Sequence, residues 1–544
     1  MSNNRPSVAY FCMEYGLKEE MKIYAGGLGI LAGDILKTAD DLDLPMVGIG
    51  ILWRQGYTEQ TIDENGRPVD SYPRNDYMYD YLEDTGLKVT VTVRDEEVVC
   101  KVWKLDKYGN APLYLLDTNL EENSNKWITG QLYGWFEEER IAQEIVLGIG
   151  GVRALRKLGY EPDIYHFNEG HAVLAGNELI RERKEAGLEF DEALSQTRNE
   201  IVFTTHTPVE QGNEEHDLGV MEYMEAFNGL SEEEMKRIGG DPFNMTAAGL
   251  RLAKAANGVS QLHQETAEEM WDHVREKPEI QGITNGIHRE TWVDQKMGQA
   301  ENKEAIWKRH QVLKSNLIDF VEERTGVVLE QDKMIIGFAR RAAPYKRADL
   351  IFSDEERISP YLERNDIQII FSGKAHPLDD TGKEIVTELV EKSEKYPESV
   401  VFLEDYGIEI GKALTQGSDV WLNNPRKPME ASGTSGMKAA MNGVLNVSIL
   451  DGWWPEACDH GVNGWQFGDG YEGEDQDNHD REALYDVLLE EVLPTFYEEK
   501  ETWKEMMKES INSTYSRFSA EKMLQKYYEN MYSESRTPTT GRGM

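Results

Sequence analysis

Cysteine is scarce in this 544-residue sequence: Cys12, Cys100 and Cys458 stand far apart, with no CxxC pair. That excludes a disulfide framework and a cysteine-based zinc site, and points to a reducing compartment. Positive charge is the second deficit. Lys and Arg number 58 against 100 Asp and Glu, for a formal net charge of −42. A phosphate-backbone ligand needs a broad basic face, so neither nucleic acid nor an anionic membrane is an expected partner. No apolar run approaches the roughly 20 residues that span a bilayer. The opening residues Met1 to Pro6 carry no signal-peptide core, so the expectation is a soluble, cytoplasmic protein. What is present suffices for folding: 39% hydrophobic and 10% aromatic residues, in a chain too long for one core at roughly 150 residues per domain.

Periodicity divides the chain into two series. Ser7–Met13 reads as a strand, Leu28–Leu42 as a helix with Leu28, Leu31, Ile35 and Leu42 near one face, and Pro45–Leu52 as a second strand. Val89–Val93 and Val98–Leu105 alternate around Arg94–Glu97, which predicts an antiparallel hairpin. From Trp135 a helix runs through Leu158, then a strand at Asp163–Phe167, a helix to Lys184 and a strand at Glu200–Thr204. A second series of buried strands follows at Met334–Phe338, Ile367–Phe371, Val400–Leu403 and Val420–Leu422, with Gly326–Lys333 as the hinge before it. After Gly470 the chain is acidic and helical. Ser519 caps a last helix bearing Met523, Leu524, Tyr527 and Met531, and the tail from Ser533 frays. The expectation is an α/β protein with two Rossmann-like doubly wound domains facing a central cleft. These are residues 1–326 with an inserted β-hairpin, 327–515, and a terminal helix and tail at 516–544.

Several stretches carry chemistry. Gly26-Gly27-Leu28-Gly29, between a strand and a helix, is either an anion cradle or a tight turn. Arg340, Arg341, Lys346 and Arg347 place four cations in eight residues after the first strand of the second series. In so acidic a chain this points to a phosphorylated ligand, with a solvated helix face as the other reading. Ser372–Pro377 is a related loop. Glu430-Ala-Ser-Gly-Thr-Ser-Gly-Met-Lys438 puts small and hydroxyl residues before a helix at Met437–Met441, suited to a phosphate held by Thr434 and backbone N–H groups. A lysine in a dry pocket, here Lys438, can condense with an aldehyde cofactor; a structural lysine is the alternative. His166, Asn168, His171 and His206 follow strands and can meet sugar hydroxyls, as can Asn285. Trp453 and Trp454 offer an aromatic wall or simply core. The histidine spacing matches no metal helix, so no metal is expected.

Taken together, these stretches resemble the α-glucan phosphorylase family in its short bacterial and archaeal type. The matching segments are Gly26–Ala32, His166–His171, Phe203–Pro208, Gly282–Ile287, Arg340–Arg347, Gly373–Pro377 and Glu430–Met441, in family order over almost the whole chain. The resemblance implies a GT-B architecture, pyridoxal phosphate on Lys438, and reversible phosphorolysis of α-1,4-glucans (maltodextrin or glycogen) to glucose 1-phosphate with retention. By motif, Lys438, Arg341, Lys346 and His206 would be catalytic. Lys438, Arg340, Thr434, Ser435 and Gly436 would hold the cofactor. Gly26, Gly27, Leu28, His206, Asn285, Tyr345, Glu430, Ser432 and Gly433 would line the substrate site. A homodimer is implied by the same resemblance. Two positions depart from the family pattern: Arg340 stands where Lys is common, and Ser435-Gly436 where long members have Gly-Asn. The rivals are a retaining nucleotide-sugar glycosyltransferase of the same fold and a non-catalytic glucan-binding protein. The first would carry Glu eight residues after Glu430, where this chain has Lys438. The second has no need of a cofactor lysine.

Overall fold

A computed structural model describes residues 5–133, 137–209 and 212–533; the expected helix start at Trp135 and the tail beyond Ser533 lie outside them. The first sheet has nine strands. In chain order they are β1 (Val8–Phe11) and β2 (Met46–Ile51), then, after a separate hairpin of β3 (Glu59–Ile62) and β4 (Pro68–Ser71), β5 (Glu83–Val93), β6 (Glu96–Leu105), β7 (Leu113–Asp117), β8 (Ile164–Asn168) and β9 (Ile201–Thr204). A small ladder of β10 (Glu215–His216) and β11 (Phe243–Asn244) precedes β12 (Ala255–Gly258) and β13 (Ile280–Gly282). The order β13-β12-β9-β8-β1-β2-β7-β6-β5 is parallel as far as β7, with β6 and β5 added antiparallel. The hairpin turn is tighter than the sequence pattern drew it. Only Arg94 and Asp95 take left-handed φ, of 53° and 61°, because a two-residue turn of that hand matches strand twist, and Glu96 and Glu97 already pair in β6.

The second sheet is wholly parallel. Its strands are β14 (Met334–Ala339), β15 (Ile367–Ser372), β16 (Val400–Leu403), β17 (Val420–Asn423), β18 (Leu445–Ile449) and β19 (Gly464–Phe467), in the order β16-β15-β14-β17-β18-β19. Both sheets reverse direction next to their first strand, between β1 and β8 and between β14 and β17. In doubly wound sheets that is where ligands gather, beyond the C-terminal strand ends. β14 and β15 are continuous apolar runs buried at every position, as strands covered on both faces must be.

Two helices cross the simple order of the sequence. Lys303–Thr325 packs Leu317, Ile318 and Val321 with Ile335, Ile370 and Trp421 of the second sheet. Ala520–Tyr527 returns to the first sheet and buries Met523, Leu524 and Tyr527; Ser519 accepts the Lys522 N–H at 3.1 Å, the expected cap. This return explains a correction. His166 does not face a ligand: its Nδ1 lies 2.6 Å from the Tyr532 hydroxyl and its Nε2 2.7 Å from Thr204 Oγ1, both in the core. His171 is enclosed beside Glu214, 3.6 Å away. Trp453 and Trp454 pack in the core with Met437 and Phe518 and form no open wall. Cys12 and Cys100 are buried free thiols, and Cys458 is a half-buried one. Among the described residues no helix is long and apolar enough to cross a membrane.

Candidate functional site

The end of β14 delivers the four cations, and the structure sorts them. Arg347 is spent on structure: its guanidinium donates to the Asn424 and Pro425 carbonyls and to Asp477 and Asp480 at 2.7–2.9 Å. Arg340 reaches across the switch point to Asn423 at the end of β17 and donates to Glu430 at 2.5 Å. Lys346 pairs with the same Glu430 oxygen. Arg341 alone of the four is exposed and in no ion pair with a described residue; its neighbours are the phenols of Tyr345, Tyr57 and Tyr133. Burial by itself would raise the Glu430 carboxyl, but Arg340 and then Lys346 outweigh it and hold it down at about 2.

Glu430 opens the loop leading to the helix Ser435–Met441. Gly433 there is left-handed at φ 73°; a Cβ on it would stand 3.5 Å from Glu430 Oε1 and 3.7 Å from the Arg340 guanidinium. Thr434 sits at the N-cap without making a side-chain cap bond, so its hydroxyl remains available. Lys438, one turn on, is buried. Its amine makes no hydrogen bond or ion pair with a described residue and lies 3.4 Å from the centroid of the Trp292 ring. Burial pulls this amine down to about 8, with Asp34 opposing and Lys37 assisting. These residues fit pyridoxal phosphate: an unpaired amine of lowered proton affinity beside a loop of small residues, hydroxyls and cations.

The first sheet also contacts this region. Ser260 Oγ donates to the Ala431 carbonyl at 2.6 Å, which ties the 430 loop to the end of β12, and Thr284 Oγ1 donates to Glu456 of the Trp454–Ala457 helix at 2.8 Å, just past β13. Glu14, just past β1, accepts the N–H groups of Ala25 and Gly26 at 2.6 and 3.0 Å and the Tyr133 hydroxyl at 2.6 Å. The glycine loop is thereby fixed at the start of α1 (Gly27–Asp41). Nothing lies within 4 Å of where a Cβ would stand on Gly26 or Gly27, so crowding does not demand glycine there. By contrast, a Cβ on Gly33 would meet the Gly16 carbonyl at 2.2 Å; this glycine lets α1 lie close to the loop after β1. His206 Nε2 is 2.5 Å from Asn168 Oδ1, and its backbone N–H reaches Glu169 Oε1 at 2.5 Å. Burial lowers the imidazole to about 3, so the ring is neutral near pH 7. If Nε2–H donates to Asn168, Nδ1 is left as an acceptor. Asn285 is buried with its Oδ1 unpartnered. An orphaned buried acceptor calls for a ligand hydroxyl or water.

Sequence reasoning missed Glu14, Asp34, Glu169, Trp292 and Asp451. Asp451, after β18, accepts the N–H groups of Glu430 at 2.9 Å and Gly452 at 2.8 Å. Burial first, and the Glu430 charge after it, push its carboxyl up to about 7. A raised carboxyl stabilises the fold fully below the unfolded value near 4, and that contribution is lost as pH rises through 7. Glu430 has the opposite sign: its contribution is present above about 4.5 and lost on acidification towards 2. Asp451→Asn is therefore expected to cancel a decline of about 4 kcal/mol between pH 4 and 7 and to leave the acid limb unchanged. Urea unfolding of variant and wild type across pH 3–8 reads this; a difference between them that does not vary with pH would refute it.

Two doubly wound sheets, with cations and an unpaired lysine at the strand ends of one and a buried unpartnered acceptor near those of the other, define an α/β protein of the Rossmann-like class. Comparison with known proteins narrows this. Residues 293–533 match the family described as Phosphorylase: Carbohydrate phosphorylase. Over 97% of its length the chain is 39% identical to Maltodextrin phosphorylase of Thermococcus litoralis, covering 70% of that protein. It is 38% identical to Glycogen phosphorylase of Aquifex aeolicus over 97% of this chain and 86% of that one. An uncharacterized protein of Methanocaldococcus jannaschii is 37% identical over 96% of this chain and 99% of its own length. The chain belongs to the carbohydrate phosphorylase family.

Proposed function

We propose that this chain catalyses reversible phosphorolysis of α-1,4-glucan (maltodextrin or glycogen), releasing glucose 1-phosphate with retention and using pyridoxal phosphate held on Lys438. One observation carries the reading: the buried amine of Lys438, unpaired, adjoins the loop where Glu430 gathers Arg340 and Lys346. Its relatives' names, Maltodextrin phosphorylase and Glycogen phosphorylase, agree with it. We infer a GT-B arrangement in which ligands lie between the two sheets, with the 430 loop and the glycine loop on opposite sides.

In this reading Arg341 takes the substrate phosphate, aided by the open backbone at Gly27. Glu430 yields part of its hold on Lys346 and Arg340 to the incoming anions and turns to the glucosyl unit with Tyr345, Ser432 and Gly433. His206 accepts from a sugar hydroxyl through Nδ1, and Asn285 through its orphaned Oδ1. Thr434, Ser435 and Gly436, with Arg340, hold the cofactor. When bound, pyridoxal phosphate would supply an anionic phosphate group for Arg340, Thr434, Ser435 and Gly436 to hold. The substrate phosphate on Arg341 gives its proton to the glycosidic oxygen as the C1–O bond breaks, and one of its oxygens bonds C1 on the same face to give glucose 1-phosphate; the gathered cations hold the anions beneath the oxocarbenium-like transition state.

The test is direct. Cofactor-loaded protein given maltodextrin and inorganic phosphate is expected to form glucose 1-phosphate, and to release no nucleotide from UDP- or ADP-glucose. Loaded protein that forms none refutes the proposal, and nucleotide release would establish the glycosyltransferase alternative.

A further inference from the structure

We propose that Asp34 is a positioning residue for the Lys438 amine and acts on it through the indole of Trp292. Asp34 is 1% exposed, in the middle of α1, and no cation lies within ion-pair distance among the described residues. Burying an unpaired carboxylate is costly, and a small apolar side chain would suit a helix lined by Leu31, Ile35 and Leu36. Its contacts give the reason. The indole Nε1–H of Trp292 donates to Oδ1 at 3.0 Å and Oδ2 at 2.9 Å, and the His288 backbone N–H donates to Oδ2 at 3.2 Å. The same indole carries the Lys438 amine on its face, 3.4 Å from the centroid.

Trp292 is thus a plate bonded at its edge to an anion and loaded on its face with a cation. An aromatic ring is electropositive at the edge and electronegative at the face, so a carboxylate at the N–H edge and an ammonium on the face both match it. A direct ion pair would also fix the lysine, but it would keep the amine protonated and unable to attack an aldehyde. Contact through the indole fixes the side chain and leaves its proton labile. The surrounding charges are arranged around this plate without touching the amine. From α1, Lys37 donates to Thr291 Oγ1 at 3.0 Å and Asp41 lies 2.8 Å from His288 Nε2; from the facing segment, Glu290 lies 3.4 Å from that same nitrogen.

The geometry stands independently of any cofactor; its use rests on the reading of Lys438 proposed above. The test therefore has two readouts on the full-length chain prepared free of cofactor. The first is the pH midpoint of Lys438 acylation by a small generic amine reagent, followed on the 438 peptide by mass spectrometry. The second is the rate at which added pyridoxal phosphate is trapped on that peptide by borohydride at pH 9.5. Removal of the Asp34 charge is expected to lower the midpoint by about half a pH unit or more, and loss of positioning to slow trapping about tenfold. Asp34→Asn should show both effects. Trp292→Phe keeps the Asp34 charge but breaks its bond to the plate, so it should slow trapping about as much while moving the midpoint less, and the double variant should slow trapping no more than either alone. Trp292→Phe keeps the assignment testable if Asp34→Asn fails to fold. An unmoved midpoint with unaltered trapping in a folded single variant, or additive effects in the double, would overturn the proposal. A chain that takes up no pyridoxal phosphate yet shows the midpoint shift refutes the cofactor reading and supports the positioning one.

Discussion

Lys438→Ala is expected to lose phosphorolysis by about 10³-fold or more, as loss of a covalent anchor does, and to leave purification without bound pyridoxal phosphate. The fold should survive for three reasons. Alanine is the best helix former, and the position lies inside the Ser435–Met441 helix. The amine bonds to no described residue, so its removal orphans no partner. The packing lost against Trp292 is partly offset by removal of a cation that burial already disfavours, as its value of about 8 records. Wild-type protein should show the absorbance of a lysine-bound aldehyde cofactor, and borohydride should fix the added mass to the peptide containing Lys438. Near-UV circular dichroism reports whether the variant is folded. Substantial glucose 1-phosphate formation by folded Lys438→Ala would remove this lysine from the mechanism.

The sheets were legible because parallel strands covered on both faces must be apolar throughout, and Met334–Phe338, Ile367–Phe371 and Val400–Leu403 are such runs in otherwise charged surroundings. The site's second half was legible for a related reason: cations and small hydroxyl residues stand out against a charge of −42. What failed was everything set by long-range return of the chain. His166 lies in the middle of β8, not at its end, and Tyr532 comes back from 366 positions away to take its Nδ1. Nothing local to Lys303–Thr325 says that its apolar side covers the second sheet. Asp34 and Glu14 read as unremarkable acids until Trp292 and the glycine-loop N–H groups are brought to them. The available signal was a single acid inside a helix whose other residues from Gly29 to Ala39 are almost all small or apolar. A buried charge of that kind needs a partner that the local sequence does not name.

The sorting of the four cations yields the other large effect. Arg341→Gln is expected to raise the KM for phosphate and to lower kcat/KM with respect to phosphate by about 10²- to 10³-fold, the loss typical of one charge-assisted donor at a developing or bound anion. The KM for glucan should move far less, because His206 and Asn285 are untouched. Stability should stay within about 0.5 kcal/mol of wild type, since Arg341 is exposed and pairs with no described carboxylate. Arg341→Lys should recover part of the loss, because a point charge replaces a bidentate fork. Arg347→Gln, two residues beyond Tyr345, supplies the opposite pattern: it strips the fork that joins Asn424, Pro425, Asp477 and Asp480. Its cost should appear as an earlier thermal transition, with little specific effect on the KM for phosphate. Initial rates with each substrate varied in turn, together with thermal unfolding of both variants, separate the two roles. An unchanged phosphate KM in Arg341→Gln would mean that the exposed guanidinium does not meet the anion, and the buried pair of Lys346 and Arg340 would then have to release Glu430 and carry it alone.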